Sequence, residues 1–377
     1  MSTHPLLIFC PYLPLRESID FGDWTIGPLA SFDDRWADAR FETQARAFLA
    51  KFMSDSGQPI TNPSLLVRRD SQVDGSPLTS AELEALNLSL AFAFMDKNPR
   101  NTPDAQYGSW AVVTSDNTEV YAWPIDLDGG HVTLTTGVMI RQRSGGYTIA
   151  DKQLVVRPPL ELHMPLGEKS AEADLLDAIY RVVRGAAHSP GANEQADRVR
   201  AAIGWFTKAW WNSDRLHMDD RLVFLKTGFE ALTGQSKSHL AAAALRTLFE
   251  SLPNTDADDA ERLLWSPAET PKYPRTYNGK TTLLTDLEHW FMAFGDARNT
   301  IIHKGITPPL SHLQPGSSYE GHFVFTAELL LRSAIKATLH NLGYPDLWRS
   351  STSRLSRDVY EFLVKRQAES AGVPLTE

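Results

Sequence analysis

The chain has 377 residues, 42% of them hydrophobic and 22% charged, and a formal net charge of −9. That length accommodates two domains of ordinary size, and the composition is that of a soluble globular protein rather than a disordered one. The acidic balance excludes a protein that coats nucleic acid over its whole surface, although it leaves room for a local basic site.

In chain order, the apolar run Leu6-Leu7-Ile8-Phe9 comes first. It lacks a basic flank and is interrupted by prolines at 5, 11 and 14, so no signal peptide is expected. No segment has the ~18 uninterrupted apolar residues of a membrane helix. Cys10 is the only cysteine, which excludes an intramolecular disulfide and a cysteine zinc cluster. A cytoplasmic location is the expectation.

Ser31–Met53 carries Phe32, Trp36, Phe41, Ala45, Phe48 and Leu49 at spacings that predict a helix. A second helix is predicted over Ala81–Asp96, with Ser80 as its cap. Beyond Pro103, Trp110–Thr114, Glu119–Trp123, His131–Thr135 and Val138–Arg141 are short and β-branched or aromatic. Turn residues separate them, which predicts an antiparallel meander, and Leu154–Arg157 adds a candidate strand. Arg157-Pro158-Pro159 closes this part. From Ser170 on the chain reads as helical: Ala171–Gly185, Glu194–Trp211, Asp220–Thr233, Leu240–Leu252, Thr282–His303, Phe323–Leu342 and Arg354–Ala368. Gly234, Gly305 and Gly343 stand where helices are expected to stop. Trp265–Gly279 and Thr307–Gly321 read as looser stretches. The expected fold class is α+β over residues 1–165, an antiparallel sheet with flanking helices, followed by an all-α bundle over 166–377.

The segment with the most chemistry is Arg298-Asn299-Thr300-Ile301-Ile302-His303-Lys304. Arginine offers a permanent charge and a forked donor that fits phosphate oxygens, and histidine exchanges a proton near neutral pH. Upstream, Leu283, Leu287, Trp290, Phe294, Ala297 and Ile301 form one apolar stripe, with Asn299 and His303 on nearly the opposite face. Arg298 sits at the stripe's edge and is ~140° from His303 on a straight helix. The two converge if the last turn unwinds or if a partner subunit completes the site. The plainer alternative is a capped helix end, with His303 and Lys304 favouring the macrodipole and Arg298 paired to an acidic neighbour. Lys272, Arg275, Lys280, Arg298 and Lys304 outnumber Asp286, Glu288 and Asp296 around the segment, making it mildly basic. The bare arginine-to-histidine spacing also occurs at Arg157…His163 and Arg181…His188, so context has to separate the three.

Arg298-Asn299 with His303 and Gly305 resembles the signature of HEPN domains, in particular the Apea-like group of bacterial proteins. The likeness extends to Arg221–Gly234, where Glu230-Ala231-Leu232 is similar to an early HEPN helix facing the motif helix, and to Phe323–Leu342 as the closing helix. It covers about residues 195–345. The resemblance implies an HEPN-like helical bundle, homodimeric, and a metal-independent endoribonuclease without a cofactor. It implies that His303 acts as general base or acid on the ribose 2′-hydroxyl, that Arg298 holds the phosphate, and that Asn299 orients the histidine or donates to a phosphate oxygen. Glu230 is a supporting candidate, to pair with Arg298 or set its rotamer, against a plain reading as a surface carboxylate; Lys304 is a second supporting residue. RNA is the implied partner, and an antiphage or stress-response setting follows from the family alone. The alternative is a non-catalytic HEPN scaffold that binds RNA or a protein, with an N-terminal domain that senses an unknown ligand or protein.

Trp205, Phe206, Trp210 and Trp211 are candidates for stacking bases, but their helical spacing favours core packing. The histidines form no HExxH pair, and no Walker loop, GxGxxG or GxSxG is present.

Overall fold

The computed structural model describes residues 5–54, 57–73, 75, 77–96, 114–125, 133–134, 147–148, 171–210, 216, 218–250, 273–277, 279–304, 322–344 and 347. Two compact units divide the chain, the first ending at Ala192 and the second running from Asn193.

The first unit is built on a five-stranded antiparallel sheet of β1 (Leu6–Cys10), β2 (Ile19–Phe21), β3 (Trp24–Pro28), β4 (Ser64–Arg68) and β5 (Tyr121–Pro124), in the order β2-β3-β4-β1-β5. Alternation along the strands sends side chains to opposite faces. Leu7, Phe9, Leu65 and Val67 join Phe41, Ala45, Phe48 and Phe52 in one aromatic-rich core on the first face. That core is close-packed: Phe9 meets the edges of Phe48 and Phe52, and Phe48 stacks on Trp123 at 5.0 Å. Trp24, Ile26 and Leu66 are buried on the second face.

Within Ser31–Met53 the chain makes two helical pieces instead of one. A 3₁₀ segment, Leu29–Arg35, is followed by α1 (Ala39–Leu49). Asp38 restarts the helix by accepting from the backbone N–H of Arg40 at 2.6 Å and of Phe41 at 3.4 Å. The cap of α2 (Ser80–Asp96) is Thr79 rather than Ser80. Thr79 and Glu82 form a reciprocal capping box: Glu82 accepts from the Thr79 N–H and hydroxyl, and the Thr79 hydroxyl accepts from the Glu82 N–H. Helix α3 (Ala173–His188) belongs to this unit, beyond the boundary at 165 read from the sequence. It is fastened there by Asp177, which accepts from the Gly22 N–H, and by Arg184, which pairs with Asp23.

Strand β5 coincides largely with the expected Glu119–Trp123 strand, but it pairs with β1 rather than with a meander neighbour. Asp116-Asn117 lies in a turn, as expected. β6 (Thr133–Leu134) and β7 (Tyr147–Thr148) form a separate antiparallel pair. Trp110–Val113, Val138–Arg141 and Leu154–Arg157 lie outside the described residues.

The second unit is mainly helical: α4 (Glu194–Ala209), α5 (Met218–Thr233), α6 (Ser238–Glu250), α7 (Asp286–Lys304) and α8 (His322–Asn341). The ends of all five fall within four residues of the helices read from periodicity. Gly234 and Gly343, at φ 67° and 98°, supply the left-handed residues that end α5 and α8. α5 is central. Phe229 meets Phe291 edge-on at 5.1 Å on α7, while on the α8 side a Cβ at Gly228 would lie 2.7 Å from Leu331 Cδ2. Among the described residues the unit departs from an all-α bundle in one place. Strands β8 (Tyr273–Tyr277) and β9 (Lys280–Leu284) form a hairpin immediately before α7. The Asn278-Gly279 connection, with Gly279 at φ 74°, is a turn signal inside what read as a loose stretch. Arg354–Ala368 and Gly305 lie outside the described residues. No helix among the described residues is long and apolar enough to cross a membrane.

Candidate functional site

Helix α7 starts later than its periodicity suggested, because Thr285 and Glu288 set its first turn. The Thr285 N–H donates to Glu288 Oε2 at 2.9 Å, and the Glu288 N–H donates back to the Thr285 hydroxyl at 3.3 Å. Leu283, the first member of the expected stripe, therefore lies in β9 and is 52% exposed. Leu287, Trp290, Phe294 and Ala297 are buried as the stripe requires, and Phe291 joins them. The anchoring of these residues fixes which side of the helix's last two turns faces outward.

Asn299 and His303 are exposed, one turn apart, and Ile302 beside them is 45% exposed. Arg298 is half-buried. Its Nη1 donates to Asn299 Oδ1 at 3.2 Å, while its Nε is buried without a hydrogen-bond partner among the described residues. A buried guanidinium N–H left unsatisfied is costly and rare. The backbone stays helical through Lys304, whose side chain lies outside the described residues. Unwinding of the last turn thus does not bring Arg298 and His303 together, and the two keep the ~140° of a straight helix.

Glu230, considered as a partner of Arg298, instead bonds Lys226. The Lys226 ammonium donates to Glu230 Oε1 at 2.9 Å across one turn of α5. Lys226 is only 1% exposed and lies over the Phe291 ring at 5.1 Å. Burial lowers its pKa below the usual lysine range, the Glu230 carboxylate works against that, and the nearby Arg298 charge adds to the lowering. A Cβ built on Gly295 would lie 2.1 Å from Ser238 Oγ and 3.5 Å from Lys226 Cε. Glycine at 295 is therefore what lets α6 and the lysine approach α7 one turn before Arg298.

Lys226 was not singled out in the sequence, although a signal exists. Leu222, Leu225, Phe229 and Leu232 define the buried face of α5, and position 226 falls within it. A lysine in an apolar stripe needs a partner, and Glu230 stands four residues on. The basic excess around the motif is smaller in space than in sequence, since Arg275 pairs with Asp296 at 2.9 Å. Phe206 and Trp210 are buried, in keeping with packing rather than base stacking, and Trp205 is capped by the Lys208 ammonium at 4.0 Å. No group of three or more His, Cys, Asp or Glu side chains placed to hold a metal occurs among the described residues.

Comparison of the chain with protein-family models, with curated proteins and with solved structures finds no match to any of them.

Proposed function

We propose that the chain is an endoribonuclease of HEPN type that cleaves RNA without a metal, with the site on α7 shared between two copies. The observation that carries this reading is Arg298: a half-buried guanidinium whose Nε has no partner among the described residues, beside an exposed Asn299 that is itself one turn from an exposed His303. An unsatisfied, permanently charged donor next to two exposed polar side chains suits a phosphodiester oxygen. In the reaction, His303 takes the proton of the ribose 2′-hydroxyl as that oxygen attacks the adjacent phosphorus. The P–O5′ bond breaks and the departing O5′ takes up a proton from water, leaving a 2′,3′-cyclic phosphate and a 5′-hydroxyl, while the His303 imidazolium returns its proton to solvent. Arg298 stabilises the charge that develops on the non-bridging oxygens, and Asn299 holds the Arg298 fork by accepting from Nη1. Because one chain leaves Arg298 and His303 on different faces, a second copy related by twofold symmetry supplies the missing member of each pair.

The same separation favours one other reading, a scaffold that binds RNA or a protein through α7 and performs no chemistry, with the first unit as its sensor. Incubation of the purified chain with mixed RNA in EDTA, beside Arg298→Ala and His303→Ala, separates the two. Cleavage by the wild type alone supports the nuclease. RNA left intact by all three, with binding retained by the wild type, favours the scaffold.

A further inference from the structure

Lys226 has no role in the reaction as written, yet it is a buried charge directly beneath the motif helix. Gly295 and Arg298 are three residues apart and so share a side of α7, and Lys226 Cε comes within 3.5 Å of where a Gly295 side chain would begin. The Arg298 charge is near enough to bear on Lys226, and Lys226 in turn holds the Glu230 carboxylate. The carboxylate bonds the lysine, at 2.9 Å, and the arginine is left with an amide oxygen and a vacant Nε. Were Glu230 to bond Arg298 instead, the guanidinium would be neutralised and its fork filled.

We propose that Lys226 is a positioning residue of this site, one that holds Glu230 away from Arg298 and so keeps the guanidinium open to a phosphate oxygen. The arrangement fits the energetics of buried charge. An uncompensated ammonium at 1% exposure is strongly disfavoured, so Lys226 has a firm claim on the carboxylate. Arg298, only half-buried, keeps part of its fork accessible to an incoming anion. The proposal rests on Arg298 being the phosphate-binding group.

The test uses the whole chain and a fluorescent 2′-O-methyl RNA oligonucleotide, which lacks the nucleophile for cleavage. Lys226→Met removes the charge at similar length. It is expected to weaken binding about tenfold and to reduce the salt dependence by about one phosphate contact, because Glu230 then occupies Arg298. Lys226→Met combined with Glu230→Gln is expected to recover binding to within about threefold of wild type, a non-additivity that simple loss of packing does not produce. Where the wild type binds the RNA, equal binding by Lys226→Met, or no recovery in a double variant that melts like the wild type, overturns the proposal. Crystal structures keep this outcome apart from the RNA reading. Glu230 is expected on Lys226 in the wild type and on Arg298 in Lys226→Met. If that exchange is seen and the wild type binds no RNA, the nucleic-acid reading fails while the positioning role stands. Glu230 found on Arg298 in the wild-type crystal overturns the proposal even if Lys226→Met does not fold.

Discussion

The indole N–H of Trp24 donates to the hydroxyl of Tyr180 at 2.8 Å, joining the second face of the N-terminal sheet to α3. Both side chains are essentially inaccessible. Close by, the Tyr180 ring lies against Gly22, where a Cβ would sit 2.5 Å from Cδ1 at a φ of +51°. Tyr180→Phe keeps the ring and deletes the acceptor, leaving a buried indole N–H unpaired. The expected loss is about 1–3 kcal/mol of unfolding free energy. Trp24→Phe combined with Tyr180→Phe should cost less than the sum of the singles, since each removes the other's unsatisfied group. Urea melts of the four proteins check this, and strict additivity would mean that the bond contributes nothing.

Glu82 predicts how the first unit responds to acid. Burial alone raises its pKa. The Thr79 N–H, the Arg68 guanidinium at 3.0 Å and the Thr79 hydroxyl outweigh burial and hold it below the ordinary glutamate value of 4.5. A carboxyl with a depressed folded-state pKa adds stability that is present above the unfolded value and is lost as pH falls through the folded one. Wild-type stability is therefore expected to decline below about pH 4.5. Glu82→Gln, less stable at neutral pH, should show a shallower decline. Parallel pH–stability curves for the two proteins, measured by denaturant unfolding, would exclude Glu82 as a source of acid sensitivity.

Cys10 is predicted to be inert in the native protein. It is the last residue of β1 and fully buried, and burial, with a smaller contribution from the Glu119 charge, pushes its thiol well above the usual range. Only the thiolate reacts appreciably. A disulfide reagent at pH 8 should label the native chain at least ~100-fold more slowly than the urea-unfolded chain. Rapid labelling of a folded sample would show that the β1 region opens readily.

How much of this was legible in the sequence depended on how each residue's surroundings are written locally. The helices of the second unit were readable because apolar residues recur at three and four along Leu222, Leu225, Phe229 and Leu232, and again along Leu287, Trp290 and Phe294. Of the N-terminal sheet, only β5 was read as a strand. β1 is buried on both faces, so Leu6 to Cys10 shows no alternation, and its partners Leu65 and Trp123 come from far along the chain. The site was half legible. The exposure of Asn299 and His303 follows from helical angle, but the choice Glu230 makes between Lys226 and Arg298 depends on how α5 and α7 pack, and no spacing records that.

The division of the motif across two faces of α7 leads to a prediction that does not depend on identifying the natural RNA. If Arg298 of one copy acts with His303 of another, a twofold dimer contains two sites, each drawing one residue from each chain. Arg298→Ala and His303→Ala homodimers are then both inactive, because every site lacks a member. In a mixed dimer the two losses fall in the same site: the chain without Arg298 meets the chain without His303, and the other site keeps both side chains. Half of the dimers formed at equal input are mixed and half of their sites are intact, so about a quarter of wild-type cleavage should return on co-refolding the variants. A site contained within one chain predicts no recovery at any ratio. The measurement is RNA cleavage in EDTA against mixing ratio, with sizing of each sample to establish that the copies associate. Activity should peak at equal input and vanish at both ends, and a flat line at the level of the single variants would place Arg298 and His303 in one chain's site or in none.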